Sequence, residues 1–224
     1  MRMSIIPVIA ATLLAVPSPV MAAPAAPSLA TAKPFAMRGV ELGITLEEFR
    51  AIPVPADGKS GTQVYCSNDV LPKGLHYWQS TPPEMGYIVS CEWFALYPPS
   101  GLTNHFIDLG SGTGIPTFRF IIANGAWRLF QISVKANNQF YPAILDALKR
   151  NYGEGKSIIE PFQTQAGQTY DNMITRWTNP VSSITLEQRY QHLERYLLTY
   201  QHSEYGKIMD AIIEKNRAAA AGKI

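Results

Sequence analysis

Two β-rich runs, residues 116–123 and 126–134, flank the pair Asn124-Gly125. A tight hairpin turn needs positive φ at both central positions, which Asn and Gly tolerate best, so the pair predicts a hairpin. A two-residue turn also predicts register: Ile122 opposite Trp127 and Phe120 opposite Leu129 on one face, Arg119 opposite Phe130 and Thr117 opposite Ile132 on the other. The first face is apolar throughout and calls for a helix packed on it. The second is mixed, as expected of a more open face. The period then lengthens. Phe140, Ile144, Leu145, Leu148 and Tyr152 recur at three- and four-residue spacing and predict a helix over 140–152. Asn138 is the expected cap, Pro142 suits the first turn, Lys149 and Arg150 suit the negative end, and Gly153 suits the stop. This helix is expected to cover the hairpin's apolar face.

Upstream, Thr45 followed three residues on by Glu48 has the form of a capping box. Leu46 and Phe49 share one face of the short helix it opens, and Pro53 and Pro55 end it. Strands are predicted over 63–67 and 85–97, which carry Cys66 and Cys91, with a turn at Pro98-Pro99-Ser100-Gly101. A strand and turn are predicted at 155–167 and strands at 170–177 and 183–190, while 193–201 reads as strand or helix, its Tyr and Thr content favouring the strand. In the third of these Ile184, Leu186 and Tyr190 alternate with Thr185, Glu187 and Arg189. A last helix over 205–216 presents Ile208, Met209, Ile212 and Ile213, and the Ala218-Ala219-Ala220-Ala221 tail is expected to fray. The order predicts an α+β fold: antiparallel sheet or sheets with helices packed on one face, and one disulfide. A single domain over 35–217 accommodates it, with 35–153 and 154–217 as two candidate halves and 218–224 as a tail.

The N-terminus changes the picture. Arg2, an apolar stretch over 5–20 and Val20-Met21-Ala22 have the pattern of a secretory signal peptide, cut after Ala22. Residues 23–34, rich in Ala, Pro and Ser, then form a flexible lead-in. The expected location is periplasmic or secreted, with no transmembrane segment in the mature chain. In that compartment Cys66 and Cys91 are most simply a disulfide, whose closed loop is worth about 3.5 kcal/mol of chain entropy. The charge balance, 19 basic against 17 acidic residues, excludes an electrostatic nucleic-acid binder.

One stretch, Gly39-Val40-Glu41-Leu42-Gly43-Ile44-Thr45-Leu46-Glu47-Glu48-Phe49, resembles the opening of small periplasmic BamE-like (SmpA/OmlA) domains. Another, Ala147-Leu148-Lys149-Arg150-Asn151-Tyr152-Gly153-Glu154-Gly155, resembles the helix endings of uncharacterised exported bacterial proteins. The resemblance implies envelope residence and protein contacts and transfers no binding residue. The chain departs from the pattern by lacking a lipid-anchoring Cys, by its length, and by Ile52-Pro53 in place of a Leu-Gly turn.

Catalytic spacing is not found. The run Gly110-Ser111-Gly112-Thr113-Gly114 lacks the Lys-Ser/Thr of a phosphate loop and reads as an inter-strand loop, with an anion or glycan cradle as the alternative. Ser111 lies in no nucleophile elbow. His105 and Asp108 would fall on opposite faces of a strand. His76, His105, His192 and His202 show no metal-ligand spacing, Glu47 and Glu48 serve a helix dipole, and Glu84 and Glu92 flank the disulfide region without naming a catalytic pair. No cofactor is implied, and no enzymatic activity is expected from these motifs. The aromatics near the bridge are the anomaly, and Tyr77, Trp78 and Trp93 are the candidate binding residues. The expectation is an exported envelope protein that binds another envelope protein as an interaction or accessory module. The alternatives are a glycan or small-ligand binding module, or a cell-envelope hydrolase whose site assembles only in the fold.

Overall fold

In the computed structural model, which describes residues 32–55, 61–70, 86–97, 101–110 and 112–221, the Asn-Gly hairpin is the spine of the molecule. Its strands are β7 (Thr113–Ala123) and β8 (Ala126–Asn137), turning at Asn124 and Gly125 with φ of 53° and 78°. Near the turn the register is the expected one, Phe120 opposite Leu129 and Ile122 opposite Trp127. Farther along it is not. A bulge between Arg119 and Phe120 places Arg119 opposite Gln131 and Thr117 opposite Ser133, correcting the expected pairings with Phe130 and Ile132. Phe130 is the extra residue. The bulge shifts the side-chain phase of β8, so Leu129 and Ile132 both meet the core, opposite Phe120 and Phe118. Strict alternation from Leu129 would have driven Gln131 and Ser133 under the helices. The apolar face also ends sooner than expected, for Ile122 is 54% exposed.

Among the described residues, the hairpin lies at the centre of a ten-stranded sheet. The strands are β3 (Gln63–Cys66), β4 (Ile88–Tyr97), β9 (Lys156–Gln163), β10 (Thr169–Thr178), β11 (Ser182–Glu187) and β12 (Arg195–His202), in the order β3-β4-β7-β8-β12-β11-β10-β9. Every pairing is antiparallel. Short strands β5 (Gly101–Asn104) and β6 (Ile107–Asp108) add to β4 and β7, and β1 (Ala36–Met37) with β2 (Val40–Glu41) form a separate ribbon. These four short strands have too little alternation to register in the sequence. The two candidate halves share this one sheet. The first supplies β3, β4, β7 and β8 and the second β9 to β12, and they join through β8 and β12.

Among the described residues, three helices accompany the sheet: α1 (Leu46–Ala51), α2 (Tyr141–Tyr152) and α3 (Ser203–Ala221). The capping box of α1 forms as expected. Thr45 Oγ1 accepts from the Glu48 N–H at 3.1 Å, and the Glu48 carboxylate accepts from the Thr45 N–H at 2.7 Å. This helix buries Leu46 and Phe49, and the Phe49 ring lies 4.6 Å from Phe118 and 5.4 Å from Phe120. The ring seated on the hairpin's aromatics thus comes from α1. Helix α2 joins the same core through Tyr141, Ile144 and Leu148, and its Tyr141 ring meets Tyr196 of β12. Asn138 does not cap α2. It belongs to a 3-10 turn over Asn138–Phe140 that Asn137 caps, and its side chain donates to the Leu193 carbonyl at 3.0 Å. Gly153 ends α2 at φ 78°. The alanine tail does not fray at 218; helix α3 continues to Ala221, in keeping with alanine's high helix propensity. Of its expected apolar face, Ile208, Met209 and Ile212 are half-buried and Ile213 is 41% exposed.

Cys66 and Cys91 form the disulfide, directly opposite one another on β3 and β4. The next pair along is bonded, Ser67 N–H to Ser90 C=O at 2.8 Å, so the cysteines occupy a non-hydrogen-bonded pair, where side chains lie closest. Among the described residues, no helix is long and apolar enough to cross a membrane.

Candidate functional site on the polar face of the sheet

Alternation sends one set of side chains to helices α1 and α2 and the other to the opposite face, where Gly206 of α3 lies against the Gln201 side chain; that face buries Ile88 and Ile121 but is polar along two rows. Across adjacent strands one row runs Thr117, Ser133, Thr199, Thr185, and the next runs Ser90, Arg119, Gln131, Gln201, Ser183. Glu92 of β4 heads the first row. It is only 7% exposed. Its carboxylate accepts from Thr117 Oγ1 at 3.0 Å and from the Asn104 side-chain amide of β5.

Two cations face this carboxylate. Arg119 donates to the Gln131 side-chain oxygen. Burial pulls the Arg119 pKa below the usual guanidinium value, while Tyr190 and Glu92 hold it up. Burial also lowers the pKa of Lys135; the charge on Arg119 pushes the same way, Glu92 opposes, and Arg195 adds to the lowering. The Lys135 ammonium stands 6.0 Å from the centre of the Tyr190 ring. Taking a carboxylate and cations out of water costs several kcal/mol per ion before their attraction is counted, so stability alone is a poor reason for this cluster.

The cluster opens into a cavity of about 820 Å³. Glu92, Asn104, Thr117 and Lys135 come from the sheet, His192 and Glu194 from the turn into β12, and Arg195 from its first position. Two aromatic rings complete the lining: Phe106, 54% exposed, and the half-buried Phe140. Its size suits a small organic ligand. It sets donors and acceptors of both charges beside apolar rings. Among the described residues, no three His, Cys, Asp or Glu side chains gather as a metal site would require.

The expected aromatic site is not where the structure places this chemistry. Trp93 is 2% exposed and packs against Phe118 at 4.9 Å, so it is a core ring. It shares the face covered by α1 and α2 with Val89 and Cys91, four and two residues before it, which fixes its direction. Tyr77 and Trp78 lie outside the described residues, as do the signal-peptide pattern, most of the lead-in and most of the Pro98–Gly101 turn. His105 lies between β5 and β6, buried, its N–H donating to the Trp93 carbonyl at 2.8 Å, while Asp108 is exposed and accepts from the Gly110 N–H at 2.7 Å. The glycine run has a packing reason. A Cβ on Gly112 would stand 2.3 Å from the Phe140 ring, and one on Gly114 would stand 2.5 Å from Val134 Cγ1. Small residues there let the loop sit against Phe140, one of the cavity's two rings.

Sequence reasoning named Glu92 only as an unpaired carboxylate and missed Asn104, Lys135 and Arg195. The available signal was the mixed face of the hairpin, with Thr117 and Arg119 at alternate positions. No family model, curated protein or solved structure matches the chain, and its functional reading rests on this site.

Proposed function

We propose that the protein is an exported binding module that takes a polar, polyhydroxylated ligand of glycan type on the polar face of its sheet. The observation that carries this reading is Glu92, a nearly buried carboxylate held by Thr117 and Asn104 at the floor of an 820 Å³ cavity. A carboxylate, an amide and cations supply paired donors and acceptors for sugar hydroxyls, and an exposed Phe106 ring supplies an apolar face to stack on. Export, to the periplasm or beyond it, is supported by the N-terminal pattern ending at Ala22 and by the Cys66–Cys91 bridge. The test is calorimetric titration of the mature protein with a panel of mono- and oligosaccharides, repeated with Glu92→Gln. Saturable binding that falls about ten-fold or more in the variant supports the reading. Binding untouched by Glu92→Gln, or no saccharide bound at all, overturns it.

A second reading, contact with another envelope protein as an accessory module, has its own observation. Strand β9 ends the sheet with Ile158 and Ile159 at 54% and 64% exposure.

A further inference from the structure

We infer that β9 is a self-pairing edge, and that two copies of this chain join antiparallel through it into one continuous sheet. This inference is independent of the ligand proposed for the polar face.

Strand β9 pairs with β10 on one side, and among the described residues nothing pairs with the other. Seven of its eight residues are exposed, including both isoleucines. Exposed edges of this length are normally shortened, covered or charged, because their free N–H and C=O groups template another strand.

The direction of those free groups follows from the ladder. Thr164 N–H donates to the Gln168 carbonyl at 2.8 Å, which makes 164 and 168 a bonded pair just past the strand end. Bonded and non-bonded pairs alternate along an antiparallel ladder. Phe162, Glu160, Ile158 and Lys156 therefore bond to β10, and Ser157, Ile159, Pro161 and Gln163 turn their backbone groups outward. Pro161 agrees with this phase, since it has no N–H to give to β10.

A partner strand must align outward residues with outward residues. If Ile158 lies on the two-fold axis, Ser157 of each copy bonds with Ile159 of the other. The outward backbone groups of both are then satisfied, and Pro161 falls at the margin, where its missing N–H costs least. The same register sets Lys156 of one copy opposite Glu160 of the other, twice by symmetry, with Ile158 against Ile158 between them. All three lie on one face of the strand. Among the described residues neither Lys156 nor Glu160 has an ion-pair partner within its own chain. Moving the axis to Ile159 sets Ile158 against Glu160, and moving it to Glu160 sets like charges together and brings Pro161 opposite Ile159. The charge pattern thus selects one register and one occupant, a second copy of this chain.

The test is sedimentation equilibrium of the mature protein, with circular dichroism as a check on folding. Lys156→Glu and Glu160→Lys each put like charges across the two-fold axis, on exposed positions that leave the core untouched. The wild-type chain should be dimeric, and each single variant should weaken dimerisation roughly ten-fold or more while folding normally. An equimolar mixture of the two single variants restores opposite charges at both positions, as does the double variant K156E/E160K, so both should recover the dimer. A wild-type chain that stays monomeric at its highest soluble concentration overturns the inference. So does a dimer indifferent to the single changes, and so do single-variant monomers that neither the mixture nor the double variant rescues.

Discussion

The two faces of the sheet are built from neighbouring residues of the same strands, yet they obey different rules. On the face covered by α1 and α2, Phe118, Phe120, Leu129, Ile132 and Val134 are all fully buried and apolar. One position away on each strand, Thr117 and Ser133 are also buried, at 6% and 4% exposure, but under polar neighbours. Burial alone therefore does not distinguish a core from a site. What distinguishes them is whether buried groups are apolar and close-packed or charged and hydrogen-bonded. The first kind stabilises by removal from water. The second costs desolvation unless each group finds a partner.

The largest expected effect breaks the comparison on its apolar side. Phe118→Ala removes a ring that touches both Phe49 and Trp93 and should cost about 3–5 kcal/mol in urea denaturation. Thr117→Val, its immediate neighbour on the other face, should cost only about 1–2 kcal/mol, the loss of one donor to Glu92. Equal costs would mean that the polar face is structural too.

Next comes alkaline pH, which acts on phenols held within the core. Burial raises the Tyr196 hydroxyl from 10.0 to about 12, and burial, with Tyr152 and Tyr196 adding to it, raises Tyr200 as well. A raised folded-state value means that the fold favours the neutral phenol. That contribution is whole below pH 10.0 and is lost as pH climbs through about 12. Melting temperature should drop steeply across this window and less steeply in Tyr196→Phe. At neutral pH that variant should be equal in stability or firmer by about 1 kcal/mol, because it removes a buried hydroxyl that has no partner among the described residues.

The smallest effect concerns the helix that lies on the hairpin. Thr45→Ala removes one half of the capping box and should cost about 1 kcal/mol, read as a lower denaturation midpoint with unchanged slope. It should leave binding at the polar face, on the far side of the sheet, unaltered.

Much of the architecture was written locally. The Asn124-Gly125 turn, the Thr45–Glu48 box, the Gly153 stop and the strands at β9 to β11 each depend on a few adjacent residues whose backbone preferences act before any tertiary contact. The cysteine pair likewise needed only its number and its expected compartment. What the sequence could not determine depends on partners distant along the chain. The bulge at Phe130 exists because Leu129 and Ile132 must both reach helices contributed from elsewhere. Trp93 points inward because its strand is a neighbour of β7, and Asn104, Thr117 and Glu92 become one site because β5, β7 and β4 are adjacent in the sheet. Turns and caps are short-range and can be read along the chain. Which face of a strand is apolar core and which carries the polar rows is decided by strand order and by where α1 and α2 pack, and only the folded sheet supplies both.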